Sequence, residues 1–135
     1  MRGCRILVVD DDPDVIEYLS SFLEDEGYEV EAATDERSAL AEVERSSPDV
    51  ILVDVMLPGR SGLDLMVRLR RDPRWAGIPL VLITGDDSVL KDECRSYLET
   101  HQDVRGPDHV LGKPVDRDLL LSVLREIGVV STAPG

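Results

Sequence analysis

The sequence predicts an α/β domain, a five-stranded parallel sheet wound on both sides with helices. Three observations predict it. Five apolar runs alternate with five stretches of helical period. Three of those runs are aliphatic at every position, as strands covered on both faces are. No repeat and no internal linker breaks the alternation, and 135 residues suit one domain. Right-handed crossovers would then place helices on both faces.

The elements follow in order. Residues 6–9 (ILVV) form the first aliphatic strand. Val15, Ile16, Leu19, Phe22 and Leu23 recur on one face of the first helix, which Gly27 ends by taking positive φ. Residues 28–32 alternate Tyr, Val and Ala with Glu29 and Glu31, so this is an edge strand with one wet face. Residues 35–44 carry Ala39, Leu40 and Val43 inward. Residues 50–53 repeat the aliphatic pattern. Residues 62–69 carry Leu63, Leu65, Met66 and Leu69, and Pro73 stops that helix. Residues 80–83 are the third aliphatic strand. Residues 86–98 group Leu90, Cys94, Tyr97 and Leu98, with Asp86 or Asp87 as N-cap. Residues 109–111 make a short last strand. Residues 116–127 align Leu119, Leu120, Val123, Leu124 and Ile127 before Gly128. The domain is read as 1–128, and 129–135 as a disordered tail or the start of a linker.

Composition narrows the function. Hydrophobic residues at 42% and charged residues at 32% are globular proportions. No apolar run approaches the ~18–20 residues of a membrane helix. Acid at Asp10 directly after a short apolar run argues against a secretory signal. The chain reads as cytoplasmic, with Cys4 and Cys94 as reduced structural thiols. Asp plus Glu number 28 against 15 Lys plus Arg, a net charge of −13. Phosphate backbones would repel such a chain, which speaks against direct nucleic-acid binding. A divalent cation or a basic protein surface would suit it.

In an open α/β sheet, chemistry gathers at the carboxyl ends of the strands. The first strand ends in Asp10, Asp11 and Asp12, the third in Asp54, the fourth in Thr84, and Lys113-Pro114 follows the fifth. Carboxylates gathered at one edge repel unless a cation stands between them, and Mg²⁺ takes such hard oxygen ligands. The alternative for Asp10 to Asp12 is capping of the first helix, which is the favoured reading for Asp12. Asp54, after four aliphatic residues, can bind metal passively or attack phosphorus. The chain has two lysines, Lys91 and Lys113, and a compact ammonium suits a single phosphoryl oxygen. The Thr84 hydroxyl either bonds a phosphoryl oxygen or caps the next turn, and Gly85 leaves space beside it.

This constellation resembles the receiver domain of two-component response regulators, over about residues 5–127. The matching residues are Asp10-Asp11, Asp54 within VDVMLPGRSG (53–62), Thr84 with Gly85, and Lys113-Pro114. The resemblance implies a flavodoxin-like fold with strand order 2-1-3-4-5. It makes Asp54 the phosphoacceptor, charged from a phosphohistidine on a sensor histidine kinase or histidine phosphotransfer protein. It implies Mg²⁺ held by Asp11, the Asp54 carboxylate and the Met56 backbone carbonyl, with Asp10 acting mostly through water. Thr84 and Lys113 would bind the phosphoryl oxygens, and Pro58 and Gly62 match the loop after the phosphorylated strand. Such a protein is not an enzyme beyond catalysing its own phosphorylation and dephosphorylation.

Two features depart from the family. Val110 stands where an aromatic residue is usual, three positions before the lysine. The stretch from Thr84 to Lys113 is longer than usual by roughly six or seven residues, more than one helical turn. That stretch contributes to the family's output face, so partner contacts, and a contact between two copies of the chain, are expected there. Residues 129–135 leave no room for an output module, so the chain is expected to be a single-domain regulator or a receiver from a longer protein, signalling to a downstream protein or a further domain. Two competing readings remain: a receiver-like interaction module that is not phosphorylated in use, and a haloacid-dehalogenase-like phosphatase with Asp10 as nucleophile.

Overall fold

The computed structural model describes residues 4–57, 60–85, 96, 99–100 and 106–128. In chain order the elements are β1 (Arg5–Val9), α1 (Pro13–Asp25), β2 (Glu29–Ala33), α2 (Glu36–Ser46), β3 (Val50–Asp54), β4 (Met56–Leu57), β5 (Arg60–Ser61), α3 (Gly62–Arg71), β6 (Leu80–Thr84), β7 (His109–Gly112) and α4 (Arg117–Ile127). Five strands form one parallel sheet in the order β2-β1-β3-β6-β7. This is the expected 2-1-3-4-5 order once the small antiparallel hairpin β4–β5 is set aside.

Every residue of β3 and β6 is buried, as continuous aliphatic runs require. Alternate strand residues feed two cores. Leu7, Val9, Ile51, Val53, Leu80 and Leu82 pack with Ala39 and Val43 of α2 and Leu63, Met66 and Leu69 of α3. Ile6, Val8, Val50, Leu52, Val81 and Ile83 pack with Leu19 and Leu23 of α1 and Leu120, Val123 and Leu124 of α4. Each such Val, Leu, Ile or Met side chain contributes about 1.5–3 kcal/mol by leaving water. The helix after β1 and the helix after β3 thus lie on opposite faces. Strand order reverses between these two strands, and a crevice opens at their carboxyl ends.

The helix starts are built by side chains. Asp12 Oδ1 accepts the Asp14 N–H at 2.9 Å, with Pro13 opening α1. Asp35 and Ser38 cap α2 reciprocally, and Asp116 caps α4 through the Leu119 N–H at 3.0 Å. Gly27 follows α1 with φ 94°, which a side chain would resist.

Boundaries shift modestly from those expected. β2 begins at Glu29 and runs to Ala33, because the buried Tyr28 turns into the core below α1. α2 and α3 run two residues further, to Ser46 and Arg71. Asp116 stands outside α4 as its cap. The hairpin β4–β5 falls where the sequence reads only as a loop. The expected fourth helix at 86–98, with Asp86, Asp87, Leu90, Cys94, Tyr97 and Leu98, lies outside the described residues except for Ser96. Ser96, Glu99 and Thr100 are helical. Pro58, residues 101–105 and the tail 129–135 also lie outside the described residues. Among the described residues, no helix is long and apolar enough to cross a membrane.

Candidate functional site

Val9 lies opposite Val53 in the β1–β3 ladder, so the residues just beyond them meet at the carboxyl edge. Asp10 continues the parity of Ile6 and Val8, and Asp54 that of Val50 and Leu52. The two-residue period therefore turns both carboxylates to the α1/α4 face. Backbone bonds fix their strands there: the Asp10 N–H donates to the Ala33 carbonyl at 3.0 Å, and the Val55 N–H to the Ile83 carbonyl at 3.0 Å. Asp10 is 2% exposed and Asp54 4%, whereas Asp11 is open to solvent. Carboxylate oxygens of Asp10, Asp11 and Asp54 all lie within 4.8 Å of one another.

β7 brings the cation. Thr84 pairs with Gly112, and the Lys113 N–H donates to the Thr84 carbonyl at 2.7 Å. Lys113 has the parity of the core residue Leu111, hence the same face as the two buried acids. Its Nζ lies 2.9 Å from Asp54 Oδ2 and 3.0 Å from Asp10 Oδ2. The Lys113–Pro114 peptide is cis. Burial pulls the ammonium toward neutrality, but hydrogen bonds to Asp54 and Asp10, and their charges, outweigh it and hold its pKa above the ordinary lysine value. Burial raises the Asp10 pKa, and the Asp54 charge adds to that rise. The Asp12 N–H bond and Lys113 oppose it without cancelling it.

Three carboxylates against one ammonium leave an excess of negative charge on hard oxygen donors, with one side facing water. That donor set fits Mg²⁺, which keeps part of its hydration shell. Asp12 caps α1, while Asp10 and Asp11 join the cluster with Asp54. Met56 stands two residues beyond Asp54, in β4 at the same edge. Thr84 ends β6 and is buried, and beside it a side chain at Gly85 would meet nothing within 4 Å. Gly62 is different: a Cβ there would collide with the Asp54 carbonyl oxygen and lie 2.8 Å from Val53 Cγ1. The first turn of α3 rests directly on the backbone of Asp54.

The match to known proteins is decisive. A family model described as "Response regulator receiver domain" matches residues 6–125. The chain belongs to that family. The probable transcriptional regulatory protein TcrX of Mycobacterium tuberculosis is 44% identical over 134 residues, 96% of this chain and 53% of that protein. The response regulator PleD of Caulobacter vibrioides is 39% identical over 125 residues, 93% of this chain and 26% of that protein. The solved chemotaxis response regulator CheY4 of Vibrio cholerae is 30% identical with a TM-score of 0.78, over 93% of this chain and 99% of that one. The receiver thus spans about half or less of these curated relatives, but nearly all of CheY4.

The sequence missed two features of this receiver. A groove of about 420 Å³ beside Lys113 is lined by Asp14, Val15, Tyr18, Pro114 and Val115, and the Tyr18 hydroxyl donates to the Val115 carbonyl at 3.3 Å. Val15 and Tyr18 are three apart on α1, a spacing that was readable. The second is Arg70, a charged residue buried among apolar ones near the end of α3. No local pattern marks it, because its partners are 6 to 38 residues away. Val110, the departure from the family pattern, lies opposite Leu82 and is 43% exposed.

Proposed function

We propose that this receiver accepts a phosphoryl group on Asp54 from a phosphohistidine of a sensor histidine kinase or histidine phosphotransfer protein. One observation carries the reading. Lys113 Nζ lies within 3.0 Å of carboxylate oxygens of both Asp54 and Asp10, inside a cluster that Asp11 completes. An Asp54 carboxylate oxygen attacks phosphorus, a P–O bond forms, and the P–N bond to the donor imidazole breaks. The imidazole nitrogen leaves with the electron pair, and Asp54 becomes an acyl phosphate. Lys113 exchanges its contact with Asp54 for a phosphoryl oxygen, and the Thr84 hydroxyl takes another as the loop after it closes in. Asp11, the Asp54 carboxylate and the Met56 carbonyl would hold Mg²⁺, with Asp10 acting through water. When bound, Mg²⁺ supplies positive charge against the phosphoryl oxygens.

Phosphorylation adds close to two negative charges at Asp54, and the form that neutralises them best gains population. The protein acts in the cytoplasm and catalyses only its own phosphorylation and dephosphorylation. The receiver unit is 1–128, and its output goes to a downstream protein or to a domain of a longer chain, without direct nucleic-acid contact by this unit.

The test is intact mass after incubation with acetyl phosphate and Mg²⁺. One added phosphoryl group is expected, absent in Asp54→Asn and absent without Mg²⁺. No phosphoform under conditions that label a control receiver would leave an interaction module instead. Labelling that survives Asp54→Asn and disappears in Asp10→Asn would transfer the nucleophile to Asp10.

A further inference from the structure

We infer that Arg70 is a positioning residue for phosphoryl transfer: it locks the register of β7 and so delivers Lys113 to Asp54. The inference rests on the reading of Lys113 as the phosphoryl-binding cation. β7 is the last strand of the sheet, pairs over four residues, and ends one residue before Lys113. So short an edge strand specifies its own register weakly, and a slip of one residue would turn Lys113 to the opposite face. A slip of two would keep the face but carry the ammonium out of reach of both carboxylates.

The lock lies at the other end of β7, some way from the site. Asp108 immediately precedes β7. Its N–H donates to the Leu80 carbonyl at 2.8 Å, and its Oδ2 accepts the Leu80 N–H at 2.8 Å. The same Oδ2 accepts Arg70 Nη2 at 2.9 Å. The Arg70 side chain is only 2% exposed and also donates to backbone carbonyls. Nη1 donates to Ala76 at 3.1 Å and Ile78 at 2.6 Å, and Nη2 to Gly106 at 3.3 Å. One guanidinium therefore ties α3, the approach to β6 and the approach to β7 into a single joint. A planar fork with several donors suits this task, and a lysine would not. From that joint the ladder counts up without a gap: Val81 pairs with His109, Thr84 with Gly112, and Lys113 follows.

The experiment measures acetyl phosphate labelling of Asp54 in Arg70→Met and in Asp108→Asn, each with Lys113 intact and in a Lys113→Ala background. Temperatures are kept below each variant's unfolding midpoint. With Lys113 present, Arg70→Met is expected to slow labelling about tenfold and Asp108→Asn about threefold. With Lys113 absent, neither is expected to slow it further by as much as twofold, since the effect acts through that ammonium. Amide exchange supplies a second readout. In Asp108→Asn, the variant more secure in folding, amides of His109 to Lys113 should exchange faster while those of β1 and β3 keep their protection. Wild-type labelling in both variants, or equal losses with and without Lys113, would overturn the inference. So would exchange that speeds uniformly across the sheet. If Asp54→Asn fails to abolish labelling in the wild type, the phosphoacceptor reading has failed instead.

Discussion

At the scale of single residues, the site is a balance between burial and charge. Asp10 is almost wholly buried, and burial is the largest influence on its carboxyl, whose pKa is raised. A raised acid favours its neutral form in the folded state. Its stabilisation is therefore complete at low pH and is lost as pH rises through the raised value. Asp10→Asn removes that loss. The metal-free variant is expected to show a higher thermal midpoint than wild type at pH 7.5, with the difference closing in acid, and a midpoint at or below wild type would refute the assignment. Lys113 behaves in the same sense at the other end of the scale: its pKa is raised, so its contribution persists until pH climbs past the ordinary lysine value of 10.5. Gly62 is constrained by space, since a Cβ there would enter the backbone of Asp54. Gly62→Ala should cost about 1–3 kcal/mol in urea unfolding, as overpacking does. Most of this site was legible in the sequence, because Asp10, Asp11, Asp54, Thr84 and Lys113 each stand at the end of an apolar run. That Lys113 contacts Asp10 as closely as Asp54 was not legible, since strand adjacency and side-chain reach are tertiary facts.

At the scale of elements, helix starts carry the ionic detail. Asp35 accepts the Ser38 N–H at 2.7 Å and the Ser38 hydroxyl at 2.8 Å, and these bonds hold its carboxyl below the ordinary value of 3.8. A lowered acid stabilises at pH above its unfolded value, and that support is lost as pH falls through the lowered one. Amide protection at the start of α2 should therefore fall in acid. Asp35→Asn keeps an acceptor and should flatten that limb; an unchanged limb in the variant would show that the pH dependence arises elsewhere. Asp116 plays the same capping part for α4, and Asp116→Ala should cost about 1 kcal/mol in urea unfolding. The elements were readable where period and caps agree. β3 and β6 follow from aliphatic runs and α4 from its apolar stripe, although that stripe puts Asp116 inside the helix and the structure puts it outside as the cap. The hairpin β4–β5 was not readable, because its strands are two residues each and too short for any alternation. Alternation extends β2 back to Tyr28, but its side chain is claimed by the α1/α4 core.

At the scale of the whole molecule, a net charge of −13 loads the fold with self-repulsion, and three carboxylates concentrate part of it at one edge. Two effects of added salt then separate. Sodium chloride screens every exposed charge within a Debye length of about 8–10 Å and should raise stability gradually, without saturation at one stoichiometry. Magnesium at matched ionic strength should do this and also bind between Asp10, Asp11 and Asp54. Binding to the folded state alone adds RT ln(1 + [L]/Kd), about 2.7 kcal/mol at a hundredfold excess over Kd. The expected result is a saturable rise in unfolding midpoint with MgCl₂ that NaCl does not reproduce. Asp11→Asn tests the site, because this residue is exposed and its loss leaves the buried core intact. The saturable part should disappear in that variant while the screening part stays. Identical curves for the two salts, or a saturable rise untouched by Asp11→Asn, would place the magnesium effect elsewhere on the acidic surface.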